Sequence, residues 1–426
     1  MQFNRRNFIR SASVIAALSL QEMGAMAASR QLNNKGKPIG PDDENYWKNV
    51  RQMFPLSKDV AYMNNGTMGP SPYPVIEAVR DGMMEGDMHG VYGGWEATEA
   101  RIAGFVGADE DEIALTHNVT DGINIACWGF PLKRGDEVIM TTHEHVGSAF
   151  PWLNRRKLDG IVIKTFDPAP TADETLNRIE DLVTKKTRVI AVPHIPCTQG
   201  QVLPVKEISR MGRERDIFVF IDGAHGPGML PLDLHDIDCD AYASCSHKWM
   251  LGPKGTGFLY VKKEMQPVIQ AYFVGAGSDD AKWDMATHPP KMGKYATSAH
   301  RYYGGTQSLG LYKGVTAAID FMENIGIQNI YNRVNNLGKY TQDSLLALGD
   351  RIEMLTPTEA RSRCAVTGFR VKNMPYNKVY ELAAAHKIRI RSVAENGLNS
   401  VRVSTHLYNN REEIDNLVDV IRKANS

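Results

Sequence analysis

The chain of 426 residues has no surplus of charge of either sign, with Lys plus Arg and Asp plus Glu both at 49. No global field therefore draws it to nucleic acid or to an anionic lipid surface. Cysteine is sparse: Cys127, Cys197, Cys239, Cys245 and Cys364 form an odd, scattered set without a CxxC pair. That excludes a disulfide framework and a zinc ribbon. The helical HExxH zinc spacing is missing too. The acidic run "DLHDIDCD", 233–240, has neither the spacing nor the glycine of an EF-hand and reads as a solvated loop. Internal repeats and low-complexity tracts are also absent. What remains is an ordinary globular composition, long enough for a large core and for two domains or one elaborated one.

The first residues read as a separate object. "NRRNFIR", 4–10, leads into the moderately apolar "SASVIAALSL" and then "AMA", 25–27. A charged start, a short apolar segment and a small-x-small site describe a secretory signal peptide, and the apolar run is too short to span a bilayer. The alternative is an amphipathic first helix of the mature fold. Arg5-Arg6 followed by Phe8 and Ile9 resembles the twin-arginine signal, which carries already folded proteins. We expect a signal peptide over 1–27, a polar linker over 28–44, and a mature periplasmic protein that takes up any cofactor before export and keeps no stable membrane association.

From there the chain alternates. "DEIALT" (111–116), "DEVIMTT" (136–142), "GIVIKTF" (160–166), "TRVIAVPHI" (187–195), "IFVFIDGAH" (217–225) and "CDAYASCS" (239–246) are short apolar, β-branched runs. Between them lie helical stretches such as "ADETLNRIEDLV" and "VKEISRMGRERD". This pattern predicts an α/β fold with a mostly parallel sheet covered on both faces. From Leu309 long helices and the strands "GFRVK", "KIRIR" and "SVRVST" take over. We expect a large domain over 73–308, a smaller α+β domain over 309–426, and a segment, 45–72, packing on the latter.

In open α/β sheets ligands bind beyond the carboxyl ends of the strands. There the chain places Asp222, at the end of "IFVFI", and Lys248, just after "CDAYASCS". Val119, Thr120 and Asp121 mark a helix start, where backbone N–H groups and a hydroxyl cradle a phosphate. His145 puts a flat ring at the sheet's mouth; paired with His143 on one strand face it would instead suit a metal. A buried aspartate, a lysine among small and apolar residues, an anion-binding turn and an aromatic face describe a site for pyridoxal 5′-phosphate. The lysine bonds the cofactor aldehyde as a neutral amine, and the aspartate keeps the pyridine nitrogen protonated. The glycines after Lys248 allow a tight return into "GFLYV".

"SHKWMLGPKGTGFLYV", 246–261, resembles the lysine motif of the class V aminotransferase group of fold-type I pyridoxal-phosphate enzymes. That group includes cysteine desulfurases and isopenicillin N epimerase-like proteins. The resemblance runs from Tyr46 to the C-terminus and recurs in order. It takes in "YMNNGTMGPSP", "THNVTDGIN", "THEHVGSAFPW", "HIPCTQG", "DGAHGPG", "GGTQS" and "VRVSTHLYNNREEID". It implies that Asp222 meets the pyridine nitrogen, His225 the ring hydroxyl, and His145 the ring face. It also implies that Val119, Thr120 and His247 or a neighbouring serine hold the phosphate. Ser244 and Ser246 are the two candidates, because Cys245 stands where relatives often carry serine or asparagine. Thr306 of "GGTQS" would reach the phosphate of a partner subunit's cofactor, implying a homodimer, and Arg402 would grip a substrate carboxylate. Asn65, Trp249 and the "YGGW" loop are expected to read the substrate side chain.

Departures narrow the reaction. Cysteine desulfurases use a nucleophilic cysteine on a loop just before the arginine segment. Here "RIRSVAENGLNSVRVST" has none, and Cys364 lies well upstream. Cys197 falls where relatives place a polar residue near the ring; it reads equally as an ordinary buried thiol. The expected activity is an aminotransferase acting at Cα of a small amino-acid-like substrate. The alternatives are an epimerase, a carbon–sulfur lyase, an enzyme modifying a side chain of a peptide siderophore, and a binding protein that has lost catalysis.

Overall fold

The structure, a computed structural model, describes residues 37–91 and 93–424. The expected signal peptide, most of the linker and Tyr92 of "YGGW" lie outside the described residues. In chain order the regular elements begin with α1 (Glu44–Arg51), β1 (Ala61–Tyr62), α2 (Tyr73–His89), α3 (Glu96–Val106), β2 (Ile113–Thr116), α4 (Val119–Gly129), β3 (Glu137–Thr141) and α5 (Val146–Asp159). They continue with β4 (Val162–Phe166), α6 (Ala172–Glu180), β5 (Thr187–Pro193), α7 (Val205–Glu214), β6 (Phe218–Asp222), α8 (Leu234–Ile237), β7 (Ala241–Cys245) and β8 (Gly257–Val261). Last come α9 (Leu309–Ile325), α10 (Ile327–Leu346), β9 (Ile352–Met354), β10 (Val366–Val371), α11 (Tyr376–Ala385), β11 (Ile388–Arg389), β12 (Arg391–Val393), β13 (Ser400–Ser404) and α12 (Arg411–Ala424).

The main sheet has seven strands in the order β2-β8-β7-β6-β5-β3-β4. β4, β3, β5, β6 and β7 run parallel, and β8 is antiparallel to both of its neighbours. Every residue of β2, β3, β7 and β8 is buried, as continuous apolar strands covered on both faces require. The covering helices are one-sided. In α7, Val205, Ile208, Ser209, Met211 and Gly212 face inward at helical spacing, while Lys206, Arg210 and Arg213 point to solvent. The turn after β6 depends on a glycine: a Cβ on Gly223 would lie 1.8 Å from the Tyr242 ring of β7. Only a bare backbone passes so close, and it brings Asp222 to the sheet's edge.

A second, antiparallel sheet has the order β12-β13-β10-β9. The chain before Tyr73 packs on this part. Trp47, Val50, Met53 and Phe54 share one core with Phe321, Ile330, Val334 and Tyr408, and β1 pairs in parallel with β11. Three local expectations need correction. "KIRIR" divides between β11 and β12 at Ile390. β9 was invisible at three residues with one exposed. The acidic run 233–240 is not a solvated loop, because Leu234, Ile237 and Cys239 are buried and Asp240 accepts from Val219 N–H at 2.6 Å.

Candidate active site

The ends of β5 and β6, the start of α4 and the turn after β7 enclose a cavity of about 220 Å³ whose walls include Thr120, His145, Asp222, His225, Lys248 and Arg402. Of the other expected residues, Val119 and His247 also line it. Asn65, Ser246 and Thr306 are not on its wall.

Asp222 is almost wholly buried, and one oxygen accepts from Ala224 N–H at 3.0 Å. Burial raises its carboxyl pKa, against the pull of that N–H and of Lys248. Lys248 Nζ lies 3.2 Å from His225 Nε2, while the indole N–H of Trp249 donates to His225 Nδ1 at 3.1 Å. Burial, then Lys248 and Arg402, hold His225 well below the ordinary histidine range. His145 caps α5, its Nδ1 accepting from Gly147 N–H at 3.0 Å. His145 is exposed and lines the cavity's wall. Desolvation, with Lys248 and Arg391, lowers its pKa to about 4, leaving a neutral flat ring. The two histidines of "HEH" lie beyond the end of β3 and not on a strand face; His143 is buried with its Nδ1 2.7 Å from Thr198 Oγ1, and of the two only His145 lines the cavity.

The anion-binding corner is built as α4 begins. Asn118 caps the helix by accepting from Thr120 N–H, so the first-turn amides sit at the rim with the positive end of the helix dipole. The choice between serines is decided by partners. Ser244 Oγ donates to Gly223 O at 2.9 Å, whereas Ser246 Oγ is buried without a partner, as is His247 Nδ1. Buried polar atoms without partners are costly. His247 lies on the cavity wall with Val119 and Thr120, so its open Nδ1 fits a phosphate there.

Arg402 on β13 is 1% exposed, and its Nη atoms donate to Cys197 O at 2.7 Å, Thr67 Oγ1 at 2.8 Å and Asn64 Oδ1 at 3.2 Å. Its Nε has no partner, and burial followed by Arg391 lowers its pKa to about 10. Arg391 was missed in the sequence. It pairs directly across from Arg402 in the β12–β13 ladder, lines the cavity, and is bridged to Glu395. Of the two guanidiniums, Arg391 alone is paired with a carboxylate among the described residues. Cys197 also lines the cavity, with Sγ 4.0 Å from Arg391 Nη1.

Two expected substrate readers are braces instead. Asn65 is fully buried, donating to Lys248 O at 3.4 Å and accepting from Tyr408 Oη at 3.0 Å. Trp249 is fully buried behind His225. Neighbours in the motif, Gly66 and Thr67, reach the cavity in their place. Glu144, also unforeseen, is a buried acid pushed up to about 8 by burial and by Asp222.

The family model for aminotransferase class-V matches residues 84–417. The chain is 27% identical to isopenicillin N epimerase from Amycolatopsis lactamdurans, over 88% of this chain and 98% of that protein. It is 27% identical to a cysteine desulfurase from Haloferax volcanii, over 86% of this chain and 89% of that protein. Among solved structures, a C-DES mutant with glycine covalently linked to the PLP cofactor superposes with a TM-score of 0.79 at 24% identity, covering 87% of this chain and 98% of that one.

Proposed function

The chain belongs to the class V aminotransferase family, a pyridoxal-phosphate-dependent family of fold type I, and from that premise we propose that it is an aminotransferase acting at Cα of an amino acid or amino-acid-containing metabolite. The observation that carries this reading is Arg402, a buried guanidinium without a carboxylate partner among the described residues, on the same cavity as Lys248. A cation held there asks for an anion from the ligand, and a planar fork fits an α-carboxylate.

When bound, pyridoxal 5′-phosphate supplies an aldehyde for covalent attachment and a pyridinium ring that draws electron density from Cα. The protein's own groups divide the rest. The Val119 amide, the Thr120 hydroxyl and His247 would hold the phosphate, with Ser246 behind them. Asp222 keeps the ring nitrogen protonated, its burial strengthening the pairing. His145 would offer a neutral face for stacking, and His225 would serve the ring hydroxyl. Lys248 would attach the cofactor, and its amine would carry the Cα proton. Arg402 fixes the carboxylate.

Epimerisation is the second reading, supported by the likeness to isopenicillin N epimerase over nearly the whole of that protein. Both reactions begin by removing the Cα proton. Incubation with pools of amino acids in deuterated water, following keto acid release and deuterium at Cα, separates them. Keto acid release is the expected result. Deuterium uptake without keto acid selects the epimerase, and neither signal with any substrate overturns both.

Export and dimerisation complete the proposal. Among the described residues no helix is long and apolar enough to cross a membrane. The segment before Thr306 exposes large apolar side chains, with Tyr272 69%, Phe273 60% and Trp283 64% accessible, and Phe273 packs beside Gly304. A second copy covering them would bring Thr306 towards its partner's phosphate corner. Periplasmic protein is expected to begin near Ala28 and to sediment as a dimer, and a Lys-Lys replacement of Arg5-Arg6 should stay in the cytoplasm. Export of that variant at the normal level, or a monomer, would count against the respective part.

A further inference from the structure

Imidazole carries its single proton on one nitrogen or the other, and which one decides what a histidine can do. Around His225 that choice is made by a neighbour. The Trp249 indole N–H can only donate, and it donates to His225 Nδ1 at 3.1 Å. Nδ1 must therefore be the bare nitrogen. The proton therefore sits on Nε2, the nitrogen that faces Lys248 Nζ at 3.2 Å.

Trp249 is itself clamped. His406 stacks on it at 5.4 Å and 23°, and the Leu407 N–H donates to His406 Nδ1 at 2.7 Å. By the same logic His406 bears its proton on Nε2, which donates to Trp249 O at 3.1 Å. Tyr408 stacks on the other side of His406 at 5.7 Å and 9°, and through Asn65 the circuit returns to the Lys248 backbone. Every ring of this series is buried, so the indole cannot swing away without opening the core.

We propose that Trp249 is a positioning residue that locks His225 as its Nε2–H tautomer, presenting a fixed hydrogen-bond donor to the cofactor's phenolic oxygen. The inference rests on the cofactor lying in this cavity, but the tautomer itself is a property of the protein alone. The charged and titratable groups facing His225 are Lys248, Arg402, His145 and Arg391. The two guanidiniums, Arg402 and Arg391, disfavour a second proton on the ring. Imidazole therefore stays neutral, and only the tautomer is left to be set.

Two measurements test this. In protein labelled with ¹⁵N-histidine, cofactor-free and at neutral pH, the His225 resonances are identified by their loss in His225→Gln. Wild type should show a protonated Nε2 and a bare Nδ1, and Trp249→Phe should show a mixture or the reverse. In the cofactor-loaded protein, a donor to the phenolic oxygen stabilises its anion. Loss of the fixed donor should raise the pH midpoint of the visible absorbance by about one unit, on the scale of one hydrogen bond. A role in packing alone would lower thermal stability while leaving tautomer and midpoint unchanged, and that result overturns the proposal. Should Trp249→Phe fail to fold, the wild-type spectrum still decides: a proton on His225 Nδ1 overturns it. Failure of the protein to take up cofactor would reject the functional reading and leave the tautomer measurement standing.

Discussion

Lys248→Ala is expected to leave a folded protein that no longer forms a covalent, borohydride-fixable link to pyridoxal phosphate. Turnover should fall by roughly a hundred- to ten-thousandfold or more, the range for loss of a positioned proton carrier, since the same amine serves attachment and proton transfer. The fold should tolerate the change. Among the described residues Lys248 Nζ has one hydrogen-bond partner, His225, and that ring keeps its second partner in Trp249. Cofactor should still bind without a covalent link, because the start of α4, Ser246 and His247 are untouched. Absorbance before and after reduction, with peptide mass mapping, checks each part. If the variant kept a reducible adduct, another amine would hold the cofactor. Lys254, whose pKa is lowered by desolvation, would be the first to test.

The chemistry of this site was legible where it depends on strand ends, and hidden where it depends on packing. Asp222 and Lys248 stand out because β6 and β7 end beside them, and short continuous apolar runs mark strand ends well. The start of α4 is legible for the same local reason. Asn65 and Trp249 were misread because adjacency in the chain says nothing about direction. Each lies next to a cavity residue yet points into the core, where it braces the lysine or its histidine. Arg391 escaped notice because its meaning lies in register. Only the pairing of β12 with β13 sets it opposite Arg402. The choice of Ser246 over Ser244 likewise needed the hydrogen-bond partners, since both hydroxyls flank the same cysteine. Thr306 is not on the wall of this chain's own cavity, and its expected role belongs to the proposal of a dimer.

That register shapes the second large effect. Arg402→Ala should weaken binding of substrates with a free α-carboxylate by about 2–5 kcal/mol, because the anion enters a desolvated pocket without its partner. Like charges set directly across a ladder repel, and Glu395 neutralises only Arg391. Wild type therefore holds a positive charge in reserve for the substrate. Arg391 should not take over in the variant, since it is tied to Glu395 at the more open side of the cavity. Arg402→Lys should recover little. A point charge can satisfy one of Cys197 O, Thr67 Oγ1 and Asn64 Oδ1, but cannot hold them while forking onto a carboxylate. The covalent link of Lys248 to the cofactor should survive in both variants, because Arg402 is assigned to the substrate and not to the ring. Titration of the cofactor absorbance with amino acids, and with their amide and decarboxylated analogues, separates the outcomes. The carboxylates should lose affinity and the neutral analogues should change little. Equal weakening of both sets would mean that Arg402 supports the cavity wall through Cys197 and Thr67, and the carboxylate anchor would pass to Arg391.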